Sequence, residues 1–119
     1  MKRVIWIVMD GVGVGEAPDA AQFNDQGSNT LGNLAQSILT QTKNPLAIPN
    51  LLELGTGLVT PIAGTRPPDR LIGAYGKAKE ASTGKDTTSG HWEMAGLVVS
   101  KAFQVFPRFP DAVVERWVK

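Results

Sequence analysis

Two short segments hold the residue types that could do chemistry. One is Asp10-Gly11-Val12-Gly13-Val14-Gly15, a carboxylate at the end of the apolar run at residues 4–9, followed by alternating glycines. The other is residues 81–90, where Ser82, Thr83, Thr87, Thr88 and Ser89 share a polar stretch with Lys85, Asp86, Gly84 and Gly90. A strand-end carboxylate such as Asp10 is a hard oxygen ligand for Mg²⁺ or Mn²⁺, and a loop hydroxyl becomes a nucleophile when a metal lowers its pKa. Thr87 is the leading hydroxyl, with Gly84 and Gly90 on either side for loop freedom and Lys85 near enough to help hold an anionic phosphate. Spacing alone leaves Ser82, Thr83, Thr88 and Ser89 as rivals. Plainer roles are open as well: Asp10 as a turn cap, Lys85 and Asp86 as loop-shaping residues, and His91 and Trp92 as packing groups beneath the loop.

Neither segment fits a nucleotide-binding fingerprint. In the G-x-G-x-x-G pattern the third glycine opens a helix, whereas here it comes one residue early and Pro18-Asp19 follows. In a phosphate-binding P-loop the lysine is followed by Ser or Thr, but Lys85 precedes Asp86, and no glycine lies five positions before Gly84.

The elements that must position these residues follow from periodicity. Residues 4–9 are near-continuously apolar and rich in β-branched side chains, the pattern of a strand buried on both faces of a parallel sheet. Ligands bind at the carboxyl ends of such strands, where Asp10 would stand. Residues 16–30 read as loop, ending in the candidate caps Asn29 and Thr30. Leu31, Leu34, Ala35, Ile38 and Leu39 then trace the stripe of a helix packed on a sheet. Leu51, Leu52 and Leu54 ahead of Gly55 predict a short helical turn, and residues 55–70 a connection. Residues 74–79 and 102–106 are weaker strand candidates. Residues 81–90 are too polar for a core and read as an exposed loop. A helix is expected from about His91, with Ser89 as cap and Gly96 as stop, and a last helix opens at Pro110-Asp111, where Glu115 could pair with Lys119. The class is α/β.

The chain has 119 residues, 42% hydrophobic and 19% charged, with a net charge of +1 and no cysteine. Such a balance gives no electrostatic footprint for nucleic acid or an acidic membrane, so neither is expected as a partner. Without cysteine any metal is held by oxygen or imidazole, and a reducing, cytoplasmic setting is the expectation. The run at residues 4–9 is far shorter than the roughly 20 residues of a membrane span, and no export signal follows from it.

Residues 9–20 (M-D-G-V-G-V-G-E-A-P-D-A), 27–32 (G-S-N-T-L-G), 84–96 (G-K-D-T-T-S-G-H-W-E-M-A-G) and 103–110 together resemble successive motifs of phosphopentomutases, in the alkaline phosphatase superfamily. The resemblance implies a partial three-layer α/β/α core over residues 1–100 and the start of a cap domain over 101–119. It implies that Asp10 is a ligand of one of two metal ions, usually manganese, and that Thr87 carries the phosphoryl group and touches metal. Substrates would be ribose or deoxyribose phosphates, with a sugar bisphosphate as intermediate and activator. Gly11 stands where serine is frequent in relatives, a departure that leaves the role of Asp10 intact. The family's other Asp and His ligands lie beyond this chain, so the missing carboxyl-terminal part of the same protein is an expected partner, and the chain alone is expected to be inactive. His91 is the sole histidine and matches none of those ligands. Two other readings compete: a different superfamily member, such as a cofactor-independent phosphoglycerate mutase or a phosphatase, and a truncated, non-catalytic product.

Overall fold

In the computed structural model, which describes residues 2–118, the longest helix is α1 (Thr30–Thr42). It starts where the cap signal places it, because Asn29 accepts a hydrogen bond from the Gly32 amide at 3.1 Å and satisfies one of the helix's free donors. Leu31 and Ala35, one turn apart, are buried with Ile62, and Leu46, Ile48, Leu52 and Ala63 pack around them. Leu34, on the same expected stripe, is 47% exposed, so only one edge of the stripe is covered.

Helix α2 (Pro49–Glu53) begins on a proline, whose missing amide costs nothing in a first turn. The expected connection at residues 55–70 contains a further helix, α3 (Thr56–Val59). Four residues with one glycine are too few to show a period, which is why the sequence pattern passes over it. Likewise the expected loop at 16–30 holds a 3₁₀ turn, Ala20–Phe23, closed by Asn24 in the left-handed region.

Asn29 does more than cap α1. Its Nδ2 donates to the buried Thr60 hydroxyl at 2.9 Å, just past α3, and its Oδ1 accepts from the Gly15 amide at 3.2 Å. The Leu31 amide donates to the Gly13 carbonyl at 3.2 Å. The glycine loop after Asp10 is therefore folded onto the start of α1, and Gly15 makes this bend at φ 81°, where a side chain would be strained.

The chain divides between Ala78 and Lys79 into two compact units. The second holds α4 (Thr87–Met94) and α5 (Asp111–Trp117). The last helix is where the sequence predicts it; the Glu115 to Lys119 pairing lies outside the described residues. Two expectations about α4 are corrected. Its cap is Asp86, whose carboxylate accepts from the Ser89 amide at 2.8 Å, and the helix starts at Thr87 rather than near His91. The expected exposed loop at residues 81–90 is therefore helical from Thr87, and Ser82, Gly84 and Ser89 within it are buried, while Ala81, Thr83, Lys85, Thr87 and Thr88 are exposed as expected. A carboxylate that can reach the third amide outcompetes a serine placed inside the first turn.

None of the three expected strands, at residues 4–9, 74–79 and 102–106, is part of a sheet among the described residues. An interior parallel strand needs neighbours on both edges and layers on both faces. Residues 4–9 have neither here, and Val4 and Ile5 are 93% and 83% exposed. The α/β class thus reduces to helices and connections among the described residues. No helix among them is long and apolar enough to cross a membrane.

Replacing Asn29 by Ala should destabilise the first unit by roughly 1–3 kcal/mol, through loss of the cap and of the partner of buried Thr60. Amide exchange at Gly15 and Gly32 should accelerate together. Unchanged protection at Gly15 would show that Asn29 does not hold the glycine loop.

Candidate active site

Asp10 lies in an exposed turn with Gly11, in the first unit, and Thr87 is the exposed first residue of α4, in the second.

Around Thr87 the geometry separates the rival hydroxyls. Ser89 is fully buried and donates through Oγ to Asp86 Oδ2 at 2.7 Å. Ser82 is also buried, and its Oγ accepts from the Val99 amide at 3.0 Å. Both hydroxyls are buried and hydrogen-bonded within the fold, away from solvent. Thr83 is exposed, with a long 3.4 Å bond to the Val99 carbonyl. Thr87 and Thr88 are the exposed hydroxyls in the first turn of α4, where free amides and the helix dipole favour an anionic group.

The neighbouring polar groups are mostly structural. Lys85 forms an ion pair with Glu80 at 2.7 Å, a geometry that suits loop shaping better than phosphate binding. The Nδ1 of His91 lies 2.8 Å from the Thr87 carbonyl oxygen, one turn down the helix. Trp92 meets Phe103 edge to face at 5.8 Å, so the expected hydrogen bonding and packing of His91 and Trp92 are present, but both residues are exposed, Trp92 by 44%, rather than buried beneath the loop.

Glu93 is the residue that the sequence reading missed. One carboxylate oxygen accepts from the Ala81 amide and the other from the Ser82 amide, each at 2.7 Å. A signal was present: an acid in the last turn of a helix opposes the dipole there and needs a compensating partner. Hydrogen bonding holds both carboxyls of this region below their ordinary values. For Asp86 the cause is donation from the Ser89 amide and then the Ser89 hydroxyl. For Glu93 it is the Ser82 hydroxyl, then the Ala81 and Ser82 amides, with the Lys85 charge adding.

No group of three or more His, Asp or Glu side chains that could hold a metal ion occurs among the described residues. Asp10 and Thr87 alone do not make the donor set that a pair of divalent ions needs. A cleft of about 390 Å³ lined by Leu52, Thr65, Arg66, Pro67, Pro68 and Asp69 contains neither residue.

No model of a known protein family matches the chain. Curated relatives bear out the resemblance read from the motifs. The chain is 48% identical over 118 residues to a phosphopentomutase of Acetivibrio thermocellus, covering 98% of this chain and 29% of that protein. It is 49% identical over 120 residues to a phosphopentomutase of Dictyoglomus thermophilum, covering 100% of this chain and 29% of that protein. With a phosphopentomutase of Alkaliphilus metalliredigens the identity is 48% over 120 residues, covering 100% of this chain and 30% of that protein. The chain therefore spans about three-tenths of the length of the curated relatives it matches.

The depressed Glu93 carboxyl fixes the sign of an acid response. Its contribution to stability is complete above the ordinary value of 4.5 and is lost as pH falls through the lower folded value. Amide protection at Ala81 and Ser82 should be flat from neutral pH down to about 5 and then decline. In Glu93→Gln it should be weaker at neutral pH and should decline less in acid, with Asp86 as the depressed carboxyl that remains. Hydrogen exchange measured against pH checks this, and an identical acid response in the variant would remove Glu93 from the account.

Proposed function

We propose that this chain is part of a phosphopentomutase, in which Thr87 carries the phosphoryl group and Asp10 is one metal ligand. The observation that carries the reading is the 48–49% identity over 98–100% of the chain to proteins of that name. The exposed hydroxyl at the start of α4 is consistent with it, because a phosphoryl carrier has to meet a small phosphosugar from solution.

The reaction interconverts ribose or deoxyribose 1-phosphate and the 5-phosphate. The phosphoryl group leaves Thr87 Oγ1 for the free hydroxyl of the sugar monophosphate. One P–O bond breaks as another forms, and the hydroxyl proton is released as Oγ1 takes up a proton. The resulting bisphosphate returns its other phosphoryl group to Thr87, which restores the carrier and frees the isomer. Two manganese ions would neutralise charge on the attacking and leaving oxygens. No group of three or more His, Asp or Glu gathers among the described residues, so the remaining ligands would come from elsewhere in the complete protein.

The same reading accounts for the apolar surface. Residues 4–9 and the face of α5 bearing Val113 and Trp117 are exposed, Trp117 by 90%. Large apolar patches of this kind mark packing surfaces. In the proposed architecture residues 1–100 contribute to a three-layer α/β/α core and residues 101–119 open the cap, a division by role that differs from the two compact units. The rest of the protein would supply the strands flanking residues 4–9. A cytoplasmic setting fits a sequence with no cysteine.

In the complete protein, Thr87→Ala should abolish turnover of ribose 1-phosphate and the phosphorylated species in intact-mass spectra, while leaving the thermal midpoint nearly unchanged, as for other exposed side chains. Phosphorylation surviving in that variant would transfer the role to Thr88. Asp10→Asn should weaken Mn²⁺ binding in calorimetric titration and lower turnover by orders of magnitude, since a neutral amide is a poorer partner for a hard dication. Unchanged affinity would reduce Asp10 to a turn residue.

A further inference from the structure

Thr87 sits inside a loop and helix that close on themselves. The chain leaves Ala81, passes Gly84 and the cap Asp86, enters α4 at Thr87 and reaches Glu93, whose carboxylate returns to the Ala81 and Ser82 amides at 2.7 Å each. Two charge-assisted bonds from adjacent amides to one carboxylate fix orientation as well as distance. Beside this closure, the Thr83 amide donates to the Val99 carbonyl at 3.1 Å, and the Val99 amide returns a bond to Ser82 Oγ. Within the ring Asp86 holds the Ser89 amide and hydroxyl. Gly84 leaves no spare room: a Cβ there would come within 2.8 Å of Asp86 Oδ2 and 2.9 Å of Ser89 Oγ.

We propose that Glu93 is a positioning residue for Thr87, closing residues 81–93 into a ring that presents the Thr87 hydroxyl in one orientation. The inference rests on the reading of Thr87 as phosphoryl carrier. Glu93 is bound by the backbone on both carboxylate oxygens, which suits it to holding the loop. Its contribution is to hold the start of α4 against the preceding loop. A phosphoryl carrier displaced by about 1 Å loses roughly a hundredfold in rate. Binding of the sugar depends far less on this alignment, so the effect belongs in kcat rather than KM.

The test uses the complete protein, with ribose 1-phosphate as substrate and ribose 1,5-bisphosphate as phosphoryl donor. In Glu93→Gln an amide group replaces one acceptor oxygen and faces a backbone N–H. The expected result is a fall in kcat of about 10–100-fold, a KM changed by less than about threefold, and phosphorylation of Thr87 by the bisphosphate slowed by the same factor as kcat. All rates are taken per folded protein, well below the thermal midpoint. Unchanged kcat, or a rise in KM that accounts for the whole loss of kcat/KM, would overturn the proposal. If Glu93→Gln does not fold, Glu93→Asp decides. Its shorter carboxylate keeps the charge but cannot span both amides, so a reduced kcat supports the proposal and a full kcat overturns it. Thr87→Ala run in parallel separates the two levels: full turnover in that variant would sink the functional reading and this inference together, whereas its inactivity beside an unimpaired Glu93→Gln would sink the inference alone.

Discussion

Backbone amides at the start of a helix have no partner within the helix, and both candidate segments depend on the side chains that satisfy them. Asn29 does this for α1 and Asp86 for α4. Each cap also takes on a second task. Asn29 reaches across to Gly15 and Thr60, so the requirement that starts the helix also sets the path of the glycine loop after Asp10. Asp86 binds the hydroxyl of Ser89 as well as its amide, which buries that serine and leaves Thr87 outside.

Glu93 extends the same physics to the loop before α4. Its carboxylate lies at the end of the helix where the dipole disfavours it, and two amide donors offset that cost. The result is local rigidity gained without a large core. The buried apolar cluster of Leu31, Ala35 and Ile62 belongs to the first unit. In the second unit, hydrogen bonds to carboxylates carry much of the order around Thr87, and the aromatic pair Trp92 and Phe103 adds an edge contact.

The apolar surface follows a different rule. Helices form from local bonds and can exist beside solvent, but an interior strand takes its stability from neighbours. This is why the helical periods at residues 30–42 and 111–117 became helices, while the apolar run at 4–9, the strongest strand pattern in the sequence, is not paired among the described residues. The relatives named phosphopentomutase are more than three times as long as this chain.

The sequence by itself determined α1 with its Asn29 cap, the glycine stops, the last helix and the motifs shared with phosphopentomutases. These are local or near-local features: a cap acts over three residues, a helical stripe over four, and a motif is read in order. Tertiary structure alone decided that Ser82 and Ser89 are held inside while Thr87 stays outside, that Lys85 pairs with Glu80, and that Glu93 grips the amides of Ala81 and Ser82. The last contact joins residues 11 and 12 positions apart through a bend that no period encodes. Five hydroxyls in one polar stretch look alike until backbone donors claim some of them, and which ones are claimed depends on where the chain turns back.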